Sequence, residues 1–519
     1  WDGSPGKKIG EVNVSALPEP ATASPGRRRL HNLCYLLALA IIPPLGLLPI
    51  FPAFRLFDKM ELSLESVFTS NASYVGGIFA IAWPASFAMV IFTIMLIAAV
   101  RWMLLPGRVR EGRYSIHSWF YLRKWMLALT TEVTLETLSS LFATVYMRGW
   151  YRLMGARIGK GSEISTNLSG RYDLIEIGDK NFIADEVVMG DEDIRRGWMD
   201  LLPVRTGDRV FVGNDAVVAP GTTIAEGALI GVKSKPPATL SVAENETWFG
   251  SPPIKLPTRQ RVDLGKNWTY EPSLAKKLMR AGFEALHISL PTALFITLGS
   301  IAIEQFIGEP LLSGDWLRAT AMFVATSVGI CAIMAVVVLM IKWLMMGRYK
   351  PQMRPMWSFW AMKTEMVAVM YWGLAGRVFN DHLRGTPFLP MMLRLYGAKI
   401  GKGVYMDMTD ITEFDCVTVG DFAALNSLCC LQTHLYEDRV MKIGRIEVGR
   451  GVVVGAGATV LYDTKVGDFA RLGPLTLVMK GEHIPPNSTW GGSPAEPVVV
   501  HRAPAAVTDT VPVPEKIAA

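Results

Sequence analysis

Four stretches of the chain are apolar and almost free of charge. Leu33 to Phe54 and Tyr74 to Val100 carry no charged residue, Ala285 to Ile303 carries only His287, and Ala319 to Ile341 carries none. A hydrocarbon core takes about 20 apolar helical residues to cross. The pattern therefore predicts four transmembrane helices in two pairs, 33–54 with 74–105 and 281–306 with 318–345. Pro43, Pro44 and Pro49 are expected to kink the first, because proline removes a helix N–H and crowds the preceding turn.

A different period follows each pair. Val448, Val454, Val460, Val466, Leu472 and Val478 stand six residues apart, and four of them precede a glycine; Val460-Leu and Val478-Met are lapses. The same spacing runs through Val212-Gly, Val218-Ala, Ile224-Ala and Ile230-Gly, with Ile158-Gly and Ile177-Gly before it. A period of six suits neither a helix nor one alternating strand. It suits a coil with three short faces, in which the aliphatic residue fills the interior and a small residue turns the corner. Tyr151-Arg-Leu-Met-Gly-Ala-Arg-Ile-Gly-Lys-Gly161 returns as Leu393-Arg-Leu-Tyr-Gly-Ala-Lys-Ile-Gly-Lys-Gly403, an offset of 242, and Trp248-Phe-Gly-Ser-Pro252 returns as Trp490-Gly-Gly-Ser-Pro494. Arg101-Trp102 returns as Lys342-Trp343, one residue out of that register.

The expected fold is thus two tandem left-handed parallel β-helix domains of the hexapeptide-repeat acyltransferase-like kind, each preceded by a pair of transmembrane α-helices. Residues 1–5, Trp-Asp-Gly-Ser-Pro, match the closing pentapeptide of each unit and are read as the end of an upstream β-helix unit. A linker (6–27) and the first helix pair with an interfacial helix (28–150) come next. A degenerate β-helix (151–252), a linker (253–273), a second helix pair with interfacial helix (274–392), the candidate catalytic β-helix (393–495) and a disordered tail (496–519) complete the order.

Of the 519 residues half are apolar and 19% charged, with 52 basic against 46 acidic, a net charge of +6. That excludes a disordered chain and argues against an ordinary soluble enzyme. The basic residues cluster beside the apolar runs, at Arg27 to Arg29, Arg101 to Arg113 and Lys342 to Arg354, which places both polar segments on the cytoplasmic side. No nucleic-acid motif or signal peptide is visible. Five cysteines without a CxxC pair give no disulfide framework and fit a reducing compartment.

Further motifs carry a family resemblance. Thr386-Pro-Phe-Leu-Pro390, Thr412-Glu-Phe-Asp415, Leu431-Gln-Thr-His-Leu-Tyr-Glu-Asp-Arg-Val-Met-Lys442, Leu461-Tyr-Asp-Thr464 and Gly473-Pro-Leu-Thr-Leu-Val-Met-Lys-Gly481 look like the C-terminal membrane region of ε-poly-L-lysine synthetase-like nonribosomal peptide synthetases. Asp191-Glu-Asp-Ile-Arg-Arg-Gly-Trp198 and Arg209-Val-Phe-Val-Gly213 are similar to that family too. The resemblance implies adenylation and carrier domains upstream of three membrane-plus-soluble units, and condensation of carrier-bound amino acids within those units.

Seven histidines are present, and only His434 and His483 fall inside a coil region. His434 lies on an excursion, about 432–446, that interrupts the six-residue phase, and functional groups favour loops on rigid scaffolds. A neutral imidazole suits the removal of a proton from an attacking amine or hydroxyl, so His434 is the candidate general base. The first unit has Glu192 at the equivalent place. Asp410, Glu413, Asp415, Glu437 and Asp438 either orient the imidazole, pair with a cationic substrate, or are solvated turn acids. Asn426 either positions an acyl oxygen or is a corner residue. Cys429 and Cys430 lack an activating neighbour in sequence, His483 reads as a packing or surface residue, and Tyr462 and Asp463 are carried by resemblance alone. No metal site is expected.

The leading functional reading is a peptide-bond-forming module that joins carrier-activated amino acids, cationic ones such as lysine, into an isopeptide homopolymer or short peptide. The alternatives are a stand-alone coenzyme A-dependent membrane acyltransferase and a non-catalytic membrane scaffold. No cofactor is expected to reside in this chain; the acyl group would arrive on the phosphopantetheine of a carrier domain, or on coenzyme A in the alternative. Expected partners are the membrane, the upstream domains of the same polypeptide and the amino-acid substrate, with no nucleic acid; a homodimer is left open. Covalently linked coils are expected to form a pseudo-trimer, with Asp191 to Trp198 of the first unit walling the pocket that holds His434.

Overall fold

Ser24 opens the first helix by accepting a hydrogen bond from the Arg27 backbone N–H, with Pro25 at the first helical position, where its missing N–H costs nothing. This α1, Pro25–Leu45, ends in Pro43 and Pro44, and α2 resumes at Ile50–Leu64. The prolines therefore break the segment into two helices. α3, Asn71–Leu104, runs back beside α2, and α4, Trp119–Leu138, lies against α1 and α3. α5, Met147–Met154, leads into the first coil. The second unit repeats the plan with α6 (Leu274–Ala302), α7 (Gly308–Leu312), α8 (Trp316–Met345), α9 (Phe359–Met370) and α10 (Phe388–Tyr396). Ser273, Asp315 and Ser358 cap α6, α8 and α9. The computed structural model describes residues 10–498 apart from 65–70, 169–170, 238 and 260, together with Gly3, Gly6 and Lys8. Most of the expected upstream remnant (1–5) and of the expected tail (496–519) lies outside the described residues, but the tail's start, Glu496–Pro497, is a strand paired with Trp490–Gly491 rather than disordered.

Four helical stretches, Pro25–Met60, Tyr74–Leu104, Leu274–Leu312 and Trp316–Met345, are long and apolar enough to cross a membrane. The first and third begin earlier than hydropathy alone predicts, since each starts at a serine cap rather than at its first apolar residue. The two bundles touch: Trp83 on α3 donates its indole N–H to the Ser289 hydroxyl on α6 at 2.7 Å.

Each polar segment is a three-sided parallel coil. In the second, one ladder stacks 399–400, 417–419, 446–448, 464–466 and 483–484; another stacks 405–406, 424–425, 453–454, 471–472 and 489–491; the third stacks 430–432, 459–461 and 477–478. The first coil has the same three ladders. Val448, Val454, Val460, Val466, Leu472 and Val478 are all buried in the coil interior. Burying a side chain of this size stabilises by roughly 1.5–3 kcal/mol. The register shows where each coil departs from its rhythm. Ile446 pairs with Thr464, 18 residues on, whereas Val417 pairs with Ile446, 29 residues on. The extra eleven residues form a hairpin, His434–Glu437 with Val440–Ile443, whose second strand pairs with Gln352–Pro355 just beyond α8. The first coil carries the counterpart, Asp193–Arg195 with Trp198–Leu201, on Gly112–Ser115.

The recurring Arg101-Trp102 and Lys342-Trp343 fasten each helix pair to its coil. Arg101 bonds Asp173 at 2.5 Å, and Lys342 bonds Asp415 at 2.8 Å. Trp102 and Trp343 donate to the carbonyls of Leu153 and Leu395, both at 2.9 Å. Gly155 and Gly397 end α5 and α10 with φ of 118° and 115°, where a Cβ would fall 2.5 Å from the carboxylates of Asp173 and Asp415.

The two coils pack face to face. Val232 and Phe249 of the first bury against Leu435, Leu461, Tyr462 and Leu477 of the second. Tyr436 stacks on Phe182, and Arg439, at the hairpin tip, donates to the carbonyls of Gly161 and Asn181.

Candidate active site

His434 begins the inserted hairpin, so its backbone is held by the antiparallel pairing with Ile443 and by the strand beyond α8. Its Nδ1 faces the Glu413 carboxylate at 2.8 Å. Glu413 is buried, 1% exposed, and also accepts from the hydroxyls of Thr433 at 2.6 Å and Thr412 at 2.8 Å. With Nδ1–H donated to Glu413, the basic lone pair of the neutral imidazole sits on Nε2. The His434 side chain keeps 19% of its surface open. The arrangement is a base oriented by a carboxylate that is itself held by two hydroxyls.

Electrostatics sets the proton's position. Burial disfavours the Glu413 charge, but His434 and the two threonine hydroxyls outweigh it and hold its pKa below the usual carboxylate value. Burial lowers the His434 pKa, and the Glu413 charge and hydrogen bond reverse this, leaving it above 6.5. Beneath the imidazole, Tyr436 makes an edge contact and donates to Glu365 on α9 at 2.8 Å. Arg280, fully buried near the start of α6, lies 3.5 Å from Glu365 and bonds Glu163 of the first coil at 2.9 Å. Helices, hairpin and both coils thus meet behind the base.

The first unit shows what this place looks like without a histidine. An offset of 242 carries Glu413 back to Arg171 and His434 back to Glu192. Arg171 bonds Glu192 at 2.8 Å, and Lys124 on α4 bonds it at 2.6 Å. Burial opposes the charge on Glu192, yet these two cations bring its pKa down to about 2. A carboxylate so held is no proton acceptor near neutrality.

The other expected site residues are separated. Asp415 bonds Lys342 and the Tyr349 backbone N–H, as Asp173 does with Arg101 and the Val109 N–H; it fastens the helix to the coil and does not face His434. Glu437 is bridged by Lys442 and Lys480, and Asp438 by Arg259, so protein cations take the charges expected to meet a substrate. Asn426 donates to the Val454 carbonyl at 2.7 Å and lines a different cleft, roughly 310 Å³, with Asp407, Ser427, Gly455, Arg471 and Pro474. Asp191 to Trp198 does not wall the His434 pocket: its hairpin turns toward residues 19–21, where Trp198 donates to the Glu19 carbonyl and Ala21 to the Arg196 carbonyl. The first coil meets His434 instead through Asp185, a corner residue that acts on its charge, with Glu186 and Asp215 grouped about Asp185. Nothing in the sequence distinguishes these from solvated corners, and Thr412 and Thr433 carry no sequence signal beyond lying in motifs of the family resemblance.

Burial and nearby carboxylates push the Cys429 thiol up to about 12 and the Cys430 thiol well above its ordinary value, so neither is a ready nucleophile. His483 sits exposed on the coil's last rung, away from the hairpin. Among the described residues no group of three or more His, Cys, Asp or Glu is arranged to hold a metal ion.

No family model matches the chain. It is 41% identical over 504 residues, 96% of its length, to the delta-poly-L-ornithine synthetase of Acinetobacter baumannii, of which it spans 38%. Solved structures with local likeness include a hexapeptide-repeat acetyltransferase of Vibrio cholerae (11% identity, 33% of this chain and 91% of that one, TM-score 0.19). Another is a maltose O-acetyltransferase of Clostridium difficile (18% identity, 24% and 80%, TM-score 0.20). YvoF of Bacillus subtilis, whose name carries a provisional acetyltransferase assignment, is 32% identical over 118 residues, 21% of this chain and 67% of that protein. A coil that repeats every six residues, together with this match across two thirds of a relative, means that the chain belongs to the hexapeptide-repeat acyltransferase family.

Proposed function

We propose that the chain is the condensing part of a membrane-bound nonribosomal peptide synthetase that joins a cationic amino acid into an isopeptide polymer or short peptide. The observation that carries the reading is the His434–Glu413 pair, open on its Nε2 side, in a protein 41% identical to a poly-L-ornithine synthetase. The amine nitrogen of the acceptor attacks the carbonyl carbon of an aminoacyl thioester, and a C–N bond forms. His434 Nε2 takes the proton that the amine loses. The C–S bond then breaks, and the departing thiolate takes the proton back from the imidazolium. Proton transfer by a base positioned as His434 is contributes typically about 10²–10⁴-fold, and Glu413 stabilises the imidazolium between the two transfers.

The thioester is a substrate, presented on phosphopantetheine by a carrier domain of the longer polypeptide. The helices anchor the module in the cell membrane, with both coils, of the left-handed sense, on the cytoplasmic side. A third coil completes a pseudo-trimer: Tyr405, Phe422, Leu428, Phe469 and Leu475 lie exposed on and beside the 405–406, 424–425, 453–454 and 471–472 ladder of the second coil. The equivalent ladder of the first coil is the one the second coil covers.

In the full-length protein His434→Ala is expected to abolish peptide formation while leaving monomer loading on the carrier intact. Peptide synthesis in that variant would remove the reading. The likeness to YvoF favours a second possibility, transfer from coenzyme A. Acyl-coenzyme A turnover without a loaded carrier would favour that one instead.

A further inference from the structure

Four carboxylates group beside His434: Asp185 from the first coil and Asp410 from the second act on its charge directly, and Glu186 and Asp215 of the first coil act on those two. Asp185 and Asp410 interact electrostatically with His434 and with each other, and Asp215 with both. None of the four makes an ion pair with a lysine or arginine among the described residues, although nearly every other half-buried carboxylate near the site does. Lys233 is a cation that acts on Asp410, and its ammonium is engaged by the Gly457 carbonyl at 2.8 Å. Asp185 has only the Ser165 hydroxyl, Asp410 only the Cys430 thiol, and Glu186 shares a hydrogen bond with Asp215.

This surplus of negative charge is not a requirement of the coil. The second coil carries Ser427, Leu428 and Gly457 where the first has Asp185, Glu186 and Asp215, and it folds equally well without the acids. Crowding has its cost: burial and repulsion push Asp185 and Asp410 upward and Glu186 up to about 7. A polar atom without a partner marks the same place. Thr459 pairs with Cys430 in the ladder and, with Val460 buried in the coil interior, points outward beside it. Its side chain is 2% exposed, and its hydroxyl has no hydrogen-bond partner. A buried hydroxyl left unbonded is destabilising, and a bound donor or acceptor would relieve that.

We infer that this corner, Asp185, Glu186, Asp215 and Asp410 with Thr459, is a subsite for a primary ammonium, the non-reacting amine of a diamino acid whose other amine lies at His434. The inference rests on the reading of His434 given above. It makes the first coil, which has no base of its own, the determinant of substrate charge. Only acceptors with a positive group a short aliphatic chain away from the attacking amine satisfy the four carboxylates, and a monoamine of the same length leaves them crowded and unpaired.

The test is a calorimetric titration of the 519-residue chain in nanodiscs with free lysine and with 6-aminohexanoic acid, which is lysine without its α-amine. Lysine is expected to bind at least about tenfold more tightly than 6-aminohexanoic acid, the scale of a desolvated charge-assisted pair. Asp185→Asn and Asp215→Asn keep side-chain volume and an acceptor oxygen; each is expected to weaken lysine about tenfold and leave 6-aminohexanoic acid unchanged. Their melting temperatures are expected to hold or rise, since repulsion is relieved, whereas a merely structural role would lower them. Equal affinity for lysine and 6-aminohexanoic acid, or a double variant that binds lysine within twofold of the parent, would overturn the subsite. Because the readout is binding, it stands apart from the His434→Ala assay: loss of the subsite and loss of the base assignment show up in different experiments.

Discussion

A histidine's usefulness as a base depends on what its other nitrogen touches, and here that is a buried glutamate. Because the folded His434 pKa is raised, its neutral, basic form gains population only as pH climbs above 6.5, and the rate is expected to rise through that region. Glu413→Gln removes the charge that raises it. The rising limb of the pH–rate profile should move to lower pH and the plateau should fall by about 10–100-fold, the usual cost of losing an orienting partner. An unmoved limb would mean that another group is titrating. The same shift contributes stability that is full below the unfolded pKa and lost as pH rises through the folded one. Glu192 has the opposite sign. Its pKa of about 2 contributes stability above 4.5 that is lost as pH falls toward 2. Glu192→Ala leaves the buried Lys124 without its counter-charge, while Arg171 keeps Asp191, and a destabilisation of about 3 kcal/mol is expected with no change in the chemical step. A fall in turnover without a fall in melting temperature would contradict this.

At the scale of elements, the hairpin decides whether the base is placed. Eleven residues inserted into a regular coil would wander if free. Pairing with the strand beyond α8 and insertion of Arg439 into the first coil hold them. Arg439→Ala leaves the His434–Glu413 bond intact but releases the tip, and turnover is expected to fall at least about tenfold with carrier loading unchanged, since misplacement by an ångström is that costly. Unchanged turnover would show that the sheet alone suffices. The helix-to-coil clamps make a matched pair of predictions. Asp415→Asn and Asp173→Asn each leave a buried cation without its counter-charge, so losses of about 3 kcal/mol or more, similar in the two units, are expected. Neither should alter the KM for the acceptor, which a substrate-binding role for Asp415 would require.

For the molecule as a whole, the site exists only because two copies of one plan have diverged and packed together. One copy contributes the imidazole, the other the wall, and Arg280 in α6 bonds residues of both. If a third coil covers the exposed face of the second, Leu428→Asp with Leu475→Asp in the full-length protein should loosen that contact and leave the His434 site unaffected. Hydrogen exchange of residues 422–428 and 469–475 would then rise, and exchange already as fast in the parent would mean that the face is open.

The sequence by itself determined what depends on local periodicity and on one histidine's position. Apolar runs of membrane length, a six-residue rhythm with small residues at corners, the 242-residue repeat and the interruption that holds His434 and follows Glu413 were all legible there. Each of these is a property of neighbours in the chain. Which acid does what was decided by the tertiary structure. Asp415, Glu437 and Asp438 lie as close to His434 in sequence as Glu413 does, yet each meets a cation from a helix, a later rung or the linker, while Asp185, over 200 residues away, acts on the imidazole. A carboxylate's role follows from the charge that reaches it through space. In a coil, each rung's corners look alike until another coil is laid against them.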